Sequence, residues 1–163
     1  EYKIEVAILK DIVTLTVDTS GEGLHKRGYR KNSGGAPMKE TLAAALVLLS
    51  KWEPSRVLVD PMCGSGTIAI EAAMIGKNIA PGLNRSFVSE KWDIIPHDLW
   101  EDLRKHARNS INNKEFKILA SDIDGWVIKT AKDNAKKAGV EDQIAFQKMS
   151  VQKKVVQTES SLR

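Results

Sequence analysis

The 163 residues include 42% hydrophobic and 28% charged side chains, the balance of a soluble globular protein with chain enough for one domain and a sizeable core. A formal net charge of +4 is a mild basic excess, compatible with a polyanionic partner but not requiring one. The single cysteine, Cys63, excludes an internal disulfide and any cysteine-cluster zinc site, and no apolar run approaches the ~18 residues of a membrane span.

The chain begins Glu-Tyr-Lys-Ile-Glu-Val, with no signal-peptide pattern and no initiator methionine, so a piece of a longer cytoplasmic protein is expected. Residues 2–18 alternate: Ile4, Val6 and Ile8, then Val13, Leu15 and Val17 after a Lys10-Asp11 turn. That pattern predicts a β-hairpin, which needs a partner surface because two strands are marginal in water. Residues 19–37 are rich in Gly and Ser and read as a linker. Its centre, His25-Lys-Arg-Gly-Tyr-Arg-Lys31, combines Lys26, Arg27, Arg30 and Lys31 with Tyr29. Four permanent cations and one ring suit phosphate neutralisation and stacking on a base; the same residues also suit a solvated basic loop.

Pro37 is expected to open a helix running to about Trp52, with Leu42, Leu46 and Leu49 on one face and Ala43 to Ala45 allowing close packing on a sheet. Arg56-Val-Leu-Val-Asp-Pro-Met-Cys-Gly-Ser-Gly-Thr67 then reads as a short apolar strand, an acid at its end and a glycine loop. A helix from Thr67 to about Gly76 follows. An irregular segment, Asn78 to Trp92, precedes a second helix predicted over His97–Asn113, in which Trp100 is a core candidate. Phe116 to Asp124 predicts a second strand ending in acids. Asp124 caps a helix over Gly125–Ala138 that Gly139 stops, and Gln143 to Gln147 predicts a third strand. Strands alternating with helices predict an α/β fold with a parallel sheet and right-handed crossovers. The implied organisation is a hairpin over 1–18, a linker over 19–37, and an α/β domain over 38–163.

A strand running through a glycine turn into a helix is the way α/β proteins hold nucleotide-like ligands. Cys63-Gly-Ser-Gly-Thr-Ile-Ala69 fits the loose Gly-x-Gly-x-x-Ala pattern, which is weak alone. A dinucleotide site places a ribose carboxylate about 20 residues further on, near Ser86, where no strand ends. No Gly-Lys-Ser/Thr follows the glycines, which excludes a P-loop. Asp60 and Asp122 instead bracket a nucleoside with a cationic end, which points to S-adenosylmethionine. Asp122 would accept from the ribose hydroxyls and Ile123 would pack on the adenine. Cys63 is expected to pack as a small side chain beneath the ligand, not to act as a nucleophile.

Four stretches together, Asp60-Pro-Met-Cys-Gly-Ser-Gly-Thr-Ile68, Ile79-Ala-Pro-Gly-Leu-Asn-Arg-Ser-Phe…Lys-Trp92, Ser121-Asp-Ile-Asp124 and His25-Lys-Arg-Gly-Tyr-Arg30, resemble the THUMP-associated RNA methyltransferases. The nearest in pattern are those that modify guanine N2 in large-subunit ribosomal RNA, whose members are often labelled N6-adenine-specific DNA methylases. The resemblance covers most of residues 20–148. It implies a Rossmann-like methyltransferase fold, S-adenosylmethionine as cofactor and ribosomal RNA as substrate, with DNA adenine the alternative. It assigns the cofactor pocket to Asp60, Pro61, Cys63, Gly64, Ser65, Gly66, Thr67, Asp122 and Ile123, with Ala36 and Pro37 closing over it. Lys26, Arg27, Tyr29, Arg30, Lys31, Asn84 and Arg85 become the RNA-contacting set, with no metal.

The sequence departs from the family in two places. The Asn-Pro-Pro-Tyr motif, expected to accept the hydrogens of the target amine, is absent: none of the five prolines are adjacent. Ser150 and Val151 stand where an acid commonly meets the adenine amine. The upstream THUMP module would contribute at most its last hairpin, residues 2–18. The expectation is that residues 1–163 form the cofactor-binding half and alone transfer no methyl group.

Overall fold

A computed structural model describes residues 2–30 and 38–152. Ala36, Pro37 and Lys31, assigned above to the cofactor lid and the RNA contacts, lie outside the described residues.

The hairpin forms as expected. Strands β1 (Ile4–Leu9) and β2 (Ile12–Val17) pair antiparallel, Ile4 opposite Val17 and Ile8 opposite Val13, around Lys10 and Asp11. Both turn residues have positive φ, 50° and 60°, the sense of a two-residue turn whose twist matches the strands. Ile4, Val6, Ile8, Val13, Leu15 and Val17 fall on one face and all stay more than half exposed. Tyr2 rests on Trp92, ring centroids 4.8 Å apart.

The second sheet is three parallel strands in the order β3 (Leu58–Asp60), β4 (Ile118–Asp122), β5 (Ile144–Lys148). Its register sets Asp60 beside Ala120 and Asp122 beside Lys148, so the carboxyl ends of all three strands lie together. Helix α1 (Glu40–Leu49) packs on α2 (Thr67–Lys77), and α4 (Gly125–Ala138) connects β4 to β5. The core gathers Ala69, Ile70, Ala72 and Ala73 of α2 with Ile118, Ala120, Ala135 and Ile144, while α3 (His97–Asn109) lies outside it with no buried residue. The expected caps are both present: Asp124 accepts from the Trp126 N–H at 2.8 Å, and Gly139 closes α4 in the left-handed region at φ 71°.

Helix α1 departs from its expected orientation. Leu42, Leu46 and Leu49 are 52%, 42% and 79% exposed, and the buried positions are Glu40, Ala43 and Val47. The contact with α2 is built on alanines, where two backbones approach closely and leave no depth for leucine. Glu40 is drawn inward by Arg30. The helix is also shorter than expected, as is α3, which stops at Asn109, not Asn113.

Candidate cofactor site

The site forms where β3 ends. Cys63 donates its N–H to the Ser121 carbonyl at 2.9 Å, and the Gly66 N–H returns to the Cys63 carbonyl at 2.8 Å, folding residues 61–66 over the end of β4. Gly64 and Gly66 have φ of 53° and 83°, the left-handed region that glycine enters freely. A Cβ on Gly66 would lie 3.1 Å from Ala131 and 3.3 Å from Phe146, so this glycine lets the loop settle on α4 and β5. A Cβ on Gly64 would meet no heavy atom within 4 Å. One glycine is needed for the protein's own packing; the other borders open space.

Asp122 holds this loop. Its Oδ2 accepts from the Gly64 N–H at 3.0 Å and its Oδ1 from the Asp124 N–H at 3.1 Å, which fixes the carboxylate while leaving each oxygen a further lone pair. The Met149 N–H donates to the Asp122 carbonyl at 2.9 Å and ties in the end of β5. Buried Asn134, from the third turn of α4, donates to the Ser65 carbonyl at 3.2 Å. Cys63 is 8% exposed and belongs to the core cluster, the packing place expected of it.

A cavity of about 320 Å³ opens on this loop, within the ~300–1,000 Å³ range of small-molecule sites. Asp60, Cys63, Gly64, Ser65 and Thr67, five of the residues assigned above to the cofactor, line it. Met38, Met62, Ile68, Trp126, Val127 and Thr130 line it too and were not foreseen. Trp126 and Met62 are 66% and 74% exposed, apolar surface presented at the mouth of a polar loop. The signal for Trp126 was its place in the first turn after the Asp122-Ile-Asp124 strand end; tryptophan there has little reason to face water. Asp122 and Ile123 border the loop without lining the cavity, and Ile123 is 70% exposed. Pro61 contributes its carbonyl to the Ser121 hydroxyl at 3.4 Å.

The cations assigned to RNA are placed differently. Tyr29 is 3% exposed and donates its hydroxyl to Glu71 Oε1 at 3.1 Å, so its ring lies inside the protein and presents no face to a base. Arg27 pairs with the same carboxylate at 3.5 Å and Arg30 with Glu40 at 3.6 Å, all four side chains nearly out of solvent. Burial pushes the Glu71 carboxyl above its ordinary range even with Arg27 alongside, and burial, then the Glu71 charge, raises the Tyr29 hydroxyl. Arg85 donates to the carbonyls of Glu22 and Gly23, stitching the irregular segment Asn78 to Trp92, an insert between α2 and α3, to the linker. Lys26 is exposed and pairs with Glu22, and exposed Asn84 shares a recess of about 630 Å³ with His25, Lys26 and Arg85. Four of the expected RNA contacts, Arg27, Tyr29, Arg30 and Arg85, therefore hold the linker to the domain.

A second structural cluster orders the insert. Phe87 stacks on Trp100 at 5.4 Å, Arg85 lies 5.0 Å over Phe87 and Arg104 5.7 Å over Trp100. Arg104 also pairs with Glu90 at 2.6 Å. Trp100 is thus packed, but from α3 against the insert, apart from the main core.

A family profile for the RMKL-like methyltransferase domain matches residues 27–162. The chain belongs to that family. It is 57% identical to YpsC of Bacillus subtilis, named as a candidate RNA methyltransferase, over 93% of this chain and 40% of YpsC. It is 46% identical to ribosomal RNA large subunit methyltransferase K/L of Vibrio cholerae, over 90% of this chain and 21% of that protein. Among solved structures it superposes on a predicted N6-adenine-specific DNA methylase of Listeria monocytogenes with a TM-score of 0.88 and 58% identity, covering 92% of this chain and 40% of that one. SMU.472, described as a candidate methyltransferase and solved with S-adenosylhomocysteine, matches with a TM-score of 0.85 at 44% identity, covering 93% of this chain and 40% of that one. The chain therefore spans about 40% of YpsC and of these solved relatives, and the fold is the Rossmann-like methyltransferase one expected.

Among the described residues no cluster of His, Cys, Asp and Glu could hold a metal ion, and no helix is long and apolar enough to cross a membrane.

Proposed function

We propose that this chain is the S-adenosylmethionine-binding part of a methyltransferase acting on an exocyclic amine of a base in RNA, with guanine N2 of 23S ribosomal RNA as the favoured target. One observation carries the cofactor reading: Asp122 grips the Gly64 amide beside open space, at the shared ends of parallel strands. That arrangement fits a nucleoside with a positive end. The carboxylate is oriented to receive ribose hydroxyls, the cavity is lined by apolar Trp126, Val127 and Ile68, and Asp60 supplies negative charge at the end of β3. SMU.472, with its bound S-adenosylhomocysteine, supports the same reading.

The cofactor supplies a methyl group already activated by its sulfonium. The contribution of these residues is orientation: the glycine loop and Asp122 fix the nucleoside, which fixes where the methyl points. Acceptors for the target amine are the part these 163 residues do not supply, since they contain no Asn-Pro-Pro-Tyr. The RNA reading rests on the names of YpsC and of the K/L enzyme, and the DNA reading on that of the Listeria structure.

The deciding experiment follows tritiated methyl transfer by the full-length protein to 23S ribosomal RNA and to DNA. Label in the RNA, recovered as N2-methylguanosine, is the expected result; label in DNA adenine would replace the proposal with its alternative. Residues 1–163 alone are expected to bind the cofactor and transfer nothing, and methyl incorporation by them would overturn that assignment.

A further inference from the structure

The linker motif that first suggested nucleic-acid binding has a different use in the structure. It grips α2 at two points one helical turn apart. The lower grip, Arg27 and Tyr29 on Glu71, lies within the protein, and none of these three side chains lines the cavity. The upper grip is Arg30. Its Nη2 donates to Thr67 Oγ1 at 2.6 Å and to the Met38 carbonyl at 3.0 Å, while its Nε faces Glu40 at 3.6 Å. Thr67 and Met38 both line the cavity. They belong to different elements, Thr67 opening α2 and Met38 preceding α1, and one guanidinium joins them.

We propose that Arg30 is a positioning residue for S-adenosylmethionine: it acts from behind the cavity wall, holding Met38 and Thr67 at the spacing the ligand requires. The inference rests on the cofactor reading above. A planar guanidinium suits the task because one nitrogen directs two hydrogen bonds, to Thr67 and Met38, in fixed directions while its charge faces Glu40, which an ammonium on a flexible stem cannot do. Its charge is matched by Glu40, so the arginine shapes the wall without making the pocket cationic. Thr67 Oγ1 also lies 3.5 Å from Ser65 Oγ, carrying the constraint into the glycine loop. The Lys-Arg-Gly-Tyr-Arg stretch thus divides its labour: Arg27 and Tyr29 keep the linker in place, and Arg30 sets the pocket.

The test compares Arg30→Lys with Arg27→Lys in the full chain, by calorimetric titration of S-adenosylhomocysteine and by thermal melting. Lysine keeps a charge opposite each glutamate, so both variants should fold. Arg30→Lys is expected to weaken binding about tenfold, the scale of one charge-assisted hydrogen bond. Arg27→Lys is expected to lower the melting temperature and leave affinity within about threefold, as a contact remote from the ligand should. Thr67→Val added to Arg30→Lys should weaken binding by less than the sum of the two single losses, because both remove the Arg30–Thr67 hydrogen bond. Unchanged affinity in Arg30→Lys, equal weakening by Arg27→Lys, or additive losses in the double variant would overturn the inference. Failure of the unsubstituted chain to bind S-adenosylhomocysteine would instead overturn the cofactor reading on which it stands.

Discussion

Gly64 and Gly66 are two residues apart, share a positive φ, and differ in what surrounds them. That difference makes separate predictions. Gly66→Ala brings a methyl within 3.1 Å of Ala131 and 3.3 Å of Phe146 in a backbone region alanine resists. A loss of roughly 2 kcal/mol of stability is expected from strain and overpacking together, read from urea unfolding. Gly64→Ala meets nothing of the protein, so its stability cost should be about 1 kcal/mol, while its methyl intrudes on the ligand space and cofactor affinity falls at least tenfold. Trp126 offers a spectroscopic handle at the same site. It is the tryptophan among the four that is both exposed and on the cavity wall. S-adenosylhomocysteine should shift or quench tryptophan emission, and Trp126→Phe should remove most of that response; a full response in the variant would place the ligand elsewhere.

Among the elements, the insert is the one whose order depends most visibly on charge. Partial burial pushes the Glu90 carboxyl up, but the Arg104 guanidinium and the Phe87 N–H outweigh it and hold the group below its ordinary value of 4.5. A carboxylate with a lowered folded pKa contributes stability above its unfolded value and loses it as pH falls through the folded one. The melting temperature should therefore drop as pH falls below about 4.5, and Glu90→Gln should start lower at pH 7 and drop less steeply. An identical acid limb in the variant would remove Glu90 from the account.

What the sequence made legible follows the same division between local and distant causes. The Asp124 cap and the Gly139 stop were readable because each is a local device, decided by residues within a turn of one another, and the glycine loop because its glycines stand together in the sequence. The buried face of α1 was not. Leu42, Leu46 and Leu49 gave the stronger apolar stripe, yet close packing on the alanines of α2 and the pull of Arg30 on Glu40 turned the helix the other way. The buried placement of Arg27 and Arg30 was not legible for a related reason. Their partners, Glu40 and Glu71, sit in helices where a glutamate reads as an ordinary surface residue, and only tertiary placement buries them. Trp126 and Asn134 were not legible because α4 is read from its Asp124 cap and Gly139 stop, which say nothing of what its side chains face.

For the whole molecule, the proposed S-adenosylmethionine site is made of three strand ends and one glycine loop, and Arg27, Tyr29 and Arg30 brace α2 beside it. The free edge of β3, where Leu46, Val57 and Val59 line an apolar groove of about 430 Å³, pairs with no strand among the described residues. The central claim is that the nucleoside is held where Asp122 meets Gly64. Calorimetric titration of S-adenosylhomocysteine into the chain and into Asp122→Ala tests it most directly. The account predicts one-to-one binding to the parent and at least a tenfold loss in the variant, since both a ribose acceptor and the anchor of the loop are gone. Equal affinity in the two would contradict it.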